Sequence, residues 1–267
     1  MVDEPAENIS GGADGGGQIS SFEPSSAGSV ASLVVDRLGQ LYWQKTYGGQ
    51  DSFRCLVRTI LSQNTSDKAS QPAFDALIDE YDSAAKDLAM SLADASPESL
   101  AETIRPAGLY NQKSTTLIDL SNRIVNAYGG ADGFDRFVKK HSQQTVREEL
   151  LSMKGVGPKT ADCVLLFAGG QAGVFPVDTH VHRIARRLGL APPGADHETV
   201  RDSLESNVPG EKCGFGHTAM IQFGREYCTA LDPVCLDDPD SCPLGDLCSQ
   251  VGVYPESTDV IDPAETI

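Results

Sequence analysis

Between Leu151 and Asp162 the chain reads Leu-Ser-Met-Lys-Gly-Val-Gly-Pro-Lys-Thr-Ala-Asp. This stretch restricts the fold more than any other. A helical pattern over Thr145–Met153 runs into it and another over Pro158–Ala168 leaves it, so the two helices must meet in a tight hairpin. Gly155 and Gly157 can take positive φ without a Cβ clash, which lets the backbone turn sharply and come close to a ligand. Pro158 suits the first turn of a helix, where its missing N–H costs nothing. The amides of Gly155, Val156 and Gly157 and of the helix N-terminus can then converge on an anion such as a phosphate. Lys159 stands at the second position of that helix, where the dipole disfavours a cation. A neutral amine is what a nucleophilic lysine needs. An ordinary helix–turn–helix connection with a solvated lysine satisfies the same local pattern.

Helical periodicity dominates the rest of the chain. In Val30–Trp43 the residues Val30, Leu33, Val34, Leu38 and Leu41 share one stripe. Asp51 can cap a helix containing Phe53, Leu56, Ile60 and Leu61. Further helices are predicted over Ala73–Tyr81, from Ser96-Pro97-Glu98 to before Pro106, and over Ser114–Tyr128, the last closed by Gly129-Gly130. More follow over Asp178–Leu190, His197–Val208 and Gly216–Tyr227. On the helix after Asp178, Val181, Ile184, Ala185 and Leu188 take the buried spacing, while His182, Arg183, Arg186 and Arg187 form a basic patch. Strand alternation is weak everywhere, and Ala172–Val177 is the one short candidate. The expected fold class is all-α.

The 267 residues carry a formal charge of −17, which argues against a nucleic-acid partner until its distribution is followed. Residues 1–28 hold five acids and no Lys or Arg, and residues 231–267 hold nine acids and again no bases. All 21 Lys and Arg lie in between, so the middle of the chain is nearly neutral. The first 28 residues, rich in Gly, Ser and Ala, read as a disordered acidic leader, and residues 251–267 as an acidic tail. Asp outnumbers Glu by 24 to 14 and Lys is reduced to nine. A surface of that kind stays hydrated in concentrated salt, which points to a halophilic source, although acidic ends also aid solubility. No apolar run is long enough to span a membrane and no secretory pattern opens the chain. The expected location is the cytoplasm, with action at the nucleoid.

Cys228, Cys235, Cys242 and Cys248 follow one another as C-x6-C-x6-C-x5-C in a segment rich in Pro and Asp. Four cysteines so close in an intracellular chain suggest a metal centre rather than disulfides. Thiolates hold either zinc or an iron–sulfur cluster, and the absence of paired C-x2-C knuckles favours the cluster. Cys55 and Cys163 fall on apolar helix faces and read as core; Cys213 reads as structural.

With the hairpin and the cysteines both in view, the chain resembles the endonuclease III family of DNA glycosylases. The resemblance runs from about Asp51 to Cys248. It is carried by Leu-Ser-Gln-Asn-Thr-Ser-Asp at 61–67, Gly-Leu-Tyr-Asn-Gln-Lys at 108–113, the hairpin ending in Gly-Pro-Lys, Val-Asp-Thr-His at 177–180, and the four cysteines. It implies a two-domain helix–hairpin–helix enzyme: a helical barrel over 48–157, and a cluster domain from 29–47 plus 158–250 holding a [4Fe-4S] cluster. It implies a monomer acting on double-stranded DNA with damaged bases or abasic sites, and no membrane partner. Such enzymes flip the damaged base out of the stack. The resemblance places the catalytic amine at Lys159 and the catalytic carboxylate at Asp178. Lys159 would attack the sugar C1′, expel the base and leave a Schiff base that permits strand cleavage by β-elimination. Asp178 would stabilise the developing positive charge; read from the residues alone, it is a helix N-cap. Leu109 and a polar residue of the 61–67 motif, Gln63 or Asn64, would fill the hole left by the flipped base. The hairpin residues Gly155, Val156 and Gly157 would hold the DNA backbone.

Two departures stand out. The family's middle cysteine spacing is x2, whereas Asp237-Asp238-Pro239-Asp240 lengthens it here to x6. The cluster loop, often basic in the family, has five Asp and no Lys or Arg between Cys228 and Cys248, so a phosphate contact from it is not expected. Lys159 separates this chain from adenine glycosylases of the superfamily, which lack that lysine and the lyase step, and favours a bifunctional enzyme; the resemblance implies oxidised pyrimidines as its substrates. The competing readings are a DNA-binding module without chemistry, a monofunctional mismatch glycosylase, and a zinc protein.

Overall fold

The computed structural model describes residues 16–25, 28–83 and 86–266, without the side chain of Asp67. Among these residues the fold is built of twelve α-helices. They are α1 (Val30–Leu38), α2 (Ser52–Ser62), α3 (Asp67–Tyr81), α4 (Leu88–Ala93), α5 (Pro97–Thr103) and α6 (Tyr110–Tyr128). There follow α7 (Ala131–Lys140), α8 (Gln143–Leu151), α9 (Pro158–Phe167), α10 (Thr179–Arg187), α11 (His197–Asn207) and α12 (Gly210–Glu226). Local signals explain most of the starts. Asp51 accepts from the Arg54 amide at 2.7 Å, Ser96 caps α5 with Pro97 in its first turn, and Ser142 caps α8. The helix expected from Ala73 begins at Asp67, because its first turn forms ahead of Pro72, which then forgoes one backbone bond. The charged helix α7, not anticipated from the sequence, buries only Ala131, Phe134 and Val138.

The chain divides into two compact units: Gly48–Gln171, and a discontinuous unit of the described residues up to Tyr47 with those from Ala172 onward. In the first unit α2 is central. Its Phe53, Leu56, Val57, Ile60 and Leu61 are buried, and it packs against α3, α6, α7 and α9. The division follows Gln171 rather than Gly157, because α9 packs on α2 and α8. Lys159 therefore belongs with the hairpin and the 61–67 motif.

In the second unit α12 is buried on nearly every face and packs with α1, α10 and α11. Val35, Leu38, Phe175, Ile184, Leu204, Phe215 and Phe223 belong to this core. The short strands differ from expectation. Ala172–Val177 is not a strand, since the Phe175 amide bonds the Glu205 carboxylate at 2.9 Å and the Gly173 amide bonds Gly210 O at 2.9 Å. Two-residue antiparallel pairs form instead: β1 (Gln18–Ile19) with β2 (Lys45–Thr46), and β3 (Val253–Tyr254) with β4 (Asp259–Val260). Part of the stretch read as a disordered leader is thus folded. Phe22 packs on Phe215, and the buried Lys212 Nζ holds Glu23 O at 2.6 Å and Asp36 at 2.5 Å. Residues 1–15 of that stretch lie outside the described residues.

Candidate functional site

The hairpin is set by its two flanking helices. Arg147 on α8 donates from Nε to Asp162 Oδ1 on α9 at 2.7 Å, and the Asp162 side chain is 1% exposed. Met153 and Val156 turn inward. Gly155 takes φ +89°, as its turn requires, and a Cβ there would stand 2.5 Å from Thr116 Cγ2. Gly157 differs from expectation. It is extended, at φ −95°, and a Cβ added to it would meet nothing within 4 Å. No contact among the described residues demands glycine there; the open side of Gly157 is room for a ligand.

The amides divide in the same way. Val156 uses its N–H on Met153 O at 3.1 Å, so it serves the turn. The amides of Gly155 and Gly157 donate to no acceptor among the described residues, and α9 starts without a side-chain cap. Uncapped amides and the positive end of α9 make this a place for an anion. Lys159, half-buried, follows in the first turn.

The wedge candidates lie in the same unit. Gln63 ends α2 and donates from Nε2 to Gly155 O at 3.2 Å and Thr160 Oγ1 at 3.0 Å. Asn64, next in the chain, is exposed and left-handed at φ 52°. Leu109 is also left-handed, at φ 47°, and 56% exposed ahead of α6. Positive φ in leucine is strained, and such strain gathers at functional sites.

Two residues here were not singled out from the sequence: Lys113, whose ammonium is buried between the loops bearing Asn64 and Leu109, and Asp162. Each interrupts an apolar pattern, Lys113 on the stripe of Leu117, Leu120 and Ile124 and Asp162 in an otherwise apolar helix. A charge in such a place needs a partner, and that was the available signal.

Asp178, in the second unit, caps α10 by accepting the Val181 amide at Oδ1, 2.9 Å. Its Oδ2 accepts no hydrogen bond from the described residues, so the cap leaves one carboxylate oxygen unengaged.

Cys228, Cys235, Cys242 and Cys248 line one pocket with Arg187, Leu188, Phe223, Tyr227, Gln250 and Val253. Burial pushes the Cys248 thiol up to about 11, and repulsion from the other three cysteines adds to it. Burial likewise raises Cys235 and Cys242. Among the described residues no three His, Cys, Asp or Glu side chains are arranged to hold a single metal ion. The arginines expected as a basic patch point inward. Arg183 holds Cys228 O at 2.8 Å. Arg187, 3% exposed, reaches Cys228 Sγ at 3.6 Å and Ala230 O at 2.6 Å. Arg186 grips Asp262 through two bonds of 2.8 and 3.1 Å. Guanidinium forks are used here to tie loops together. The segment read as an acidic tail folds back over this region. The Val251 amide donates to Arg187 O at 3.1 Å, and Val253 lines the pocket.

Comparison with known proteins gives a consistent result. The family model described as HhH-GPD superfamily base excision DNA repair protein matches residues 57–210. Endonuclease III of Thermotoga maritima is 35% identical over 185 residues, 69% of this chain and 78% of that protein. Endonuclease III of Bacillus subtilis is 32% identical over 198 residues, 74% and 81% of the two chains. Among solved structures, a trapped endonuclease III–DNA covalent intermediate superposes with a TM-score of 0.67 at 26% identity, covering 83% of this chain and 96% of that one.

Proposed function

Because the chain belongs to the HhH-GPD superfamily of base excision DNA repair proteins, we propose that it is a bifunctional glycosylase and abasic-site lyase using Lys159 as nucleophile. Its likeness to endonuclease III in sequence and fold makes it an endonuclease III-like DNA glycosylase. The observation that carries the finer reading is Lys159 in the first turn of an uncapped helix, two residues beyond a glycine open on its outer side.

The chemistry follows from that placement. Gly155 and Gly157 amides take a backbone phosphate, with Gly157 allowing the close approach. Asn64 and Leu109 enter the duplex where the damaged base, an oxidised pyrimidine, leaves the stack. The neutral Lys159 amine attacks C1′, the C1′–N bond breaks, and the base departs with the electron pair and a proton. The C1′–O4′ bond then opens, O4′ taking a proton, and the resulting Schiff base allows β-elimination 3′ to the sugar. The Asp178 carboxylate stabilises the cationic sugar as it develops. A covalent enzyme–DNA species captured for the structural relative supports this route.

Cys228, Cys235, Cys242 and Cys248 are the residues that would hold a [4Fe-4S] cluster. Their convergence on one pocket fits it, because a cluster gives each thiolate its own iron whereas zinc gathers all four round one ion. Bound, the cluster would fix the loop and supply a one-electron couple.

Borohydride trapping tests the lyase reading. Wild-type protein becomes covalently linked to abasic-site DNA and Lys159→Ala does not. Wild-type protein that binds such DNA without trapping overturns it, leaving a monofunctional glycosylase or a binding module. A panel of lesion duplexes, compared in single turnover, tests the preference for oxidised pyrimidines.

A further inference from the structure

We propose that Lys113 is a positioning residue for base extrusion, its ammonium fixing the two loops that present Asn64 and Leu109. This rests on the reading of those two residues as wedges.

Lys113 is 4% exposed. Its Nζ donates to Leu61 O at 2.7 Å, Thr65 Oγ1 at 2.8 Å and Ala107 O at 2.9 Å. An ammonium has three donors, and all three are used. Leu61 and Thr65 bracket Gln63 and Asn64, while Ala107 lies two residues before Leu109. The backbone N–H of Lys113 also donates to Leu109 O at 2.9 Å. One residue thus grips both loops with its side chain and one of them again with its main chain. Thr65 Oγ1, which accepts from Lys113, completes the knot by donating its one proton to Ala107 O, with Gln63 O as the alternative acceptor. Burial lowers the Lys113 pKa below its ordinary value; the ammonium is held by oxygen dipoles in place of water.

A wedge must resist the stacking that it opens. Asn64 and Leu109 are both left-handed; asparagine tolerates that conformation, but in leucine it is strained and persists only where the surroundings over-determine it. A loop free to relax would retreat instead of holding the gap. Lys113 supplies the over-determination from inside the unit, with no contact to DNA required.

The test uses the full chain and one lesion placed either in a paired duplex or in a mismatched bubble, where extrusion costs least. Lys113→Met lowers single-turnover excision and 2-aminopurine extrusion fluorescence about tenfold in the paired duplex and much less in the bubble. Lys113→Met added to Leu109→Ala causes little further loss, since both act on one step. A purely structural lysine would depress both substrates alike, and that result overturns the proposal. If Leu109→Ala and Asn64→Ala show no preference for the paired duplex, the wedge reading itself is wrong. If they do and Lys113→Met does not, only the role of Lys113 falls. Should Lys113→Met not fold, Thr65→Val removes one acceptor and gives a smaller defect of the same pattern; an equal defect on both substrates again counts against the proposal.

Discussion

Gln63 Nε2 lies 3.0 Å from Thr160 Oγ1, next in sequence to Lys159, and 3.2 Å from Gly155 O. The side chain is turned to the hairpin, while Asn64 stands exposed beside it. Their substitutions should therefore separate. Asn64→Ala slows excision from a paired duplex by roughly tenfold and leaves trapping on abasic-site DNA nearly intact. Gln63→Ala releases the hairpin and weakens trapping as well. Equal effects on both assays from both variants would show that the amides share one task.

Gly155 and Gly157 should also part company. Gly155→Ala forces a side chain into φ +89° and to 2.5 Å from Thr116 Cγ2, so it lowers stability by about 1–3 kcal/mol. Gly157→Ala meets no internal contact and costs less than about 1 kcal/mol as an N-cap change. It nevertheless obstructs the approach of a phosphate and weakens DNA binding roughly tenfold, or about 1.4 kcal/mol. Urea denaturation and fluorescence anisotropy on the same preparations check both halves. Undiminished binding by Gly157→Ala would remove the hairpin from the DNA contact.

The buried Arg147–Asp162 pair predicts a non-additive result. Arg147→Met alone leaves the Asp162 carboxylate buried without that partner and lowers stability by about 3–5 kcal/mol. Arg147→Met with Asp162→Leu recovers most of the loss, because two apolar side chains need no compensation. A double-mutant cycle in urea reads the coupling directly. Simple additivity would mean that the pair does not hold α8 to α9.

What could be read in the sequence was set by distance along the chain. The caps at Asp51 and Ser96 and the start at Pro158 are local, and their side chains act within three residues. The helical pattern and the Gly-Pro-Lys turn were legible for the same reason. Arg187, by contrast, acts on a loop 41 to 43 residues away, and Lys113 on Leu61, 52 residues earlier. Nothing nearby announces that a basic face will turn inward. The N-terminal stretch misled by composition. Gly, Ser and acid suggest disorder, yet Lys212 Nζ holds Glu23 O and Ser25 Oγ, while at the other end Arg186 draws Asp262 of the acidic tail into place. The proposal of Asn64 over Gln63 as a wedge rests on the bonds from Gln63 Nε2 to Gly155 O and Thr160 Oγ1, 92 and 97 residues away, partners that no local motif contains.

Asp262 gives the C-terminal segment a pH dependence. The hydrogen bond from Arg186 is the main cause holding its carboxyl below the usual range. A depressed folded pKa stabilises the docked segment above the ordinary carboxylate pKa, near ~3.9. That contribution is lost as pH falls through this value to the lower folded one. Amide exchange at Val251 and Ile261 should accelerate over that interval, since these amides bond Arg187 O and Gly252 O in the docked segment. In Asp262→Asn they should exchange faster already at neutral pH, with a flatter dependence on acid. Unchanged exchange would show that the segment is held by Val253 and its neighbours instead.

Asp178 poses the sharpest separation of structure from chemistry, because one oxygen caps α10 and the other accepts no hydrogen bond from the described residues. Asparagine is as good an N-cap as aspartate, so Asp178→Asn keeps the bond to Val181 and changes stability by no more than about 1 kcal/mol, the part due to charge at a helix N-terminus. It removes the carboxylate that would stabilise a cationic sugar, and single-turnover excision should fall on the order of 10²-fold or more. Asp178→Ala loses both functions and adds about 1 kcal/mol of instability. Excision at the wild-type rate by Asp178→Asn would reduce Asp178 to a cap. Equal destabilisation by Asn and Ala would instead show that the cap bond contributes little, leaving the charge as the reason for aspartate at this position.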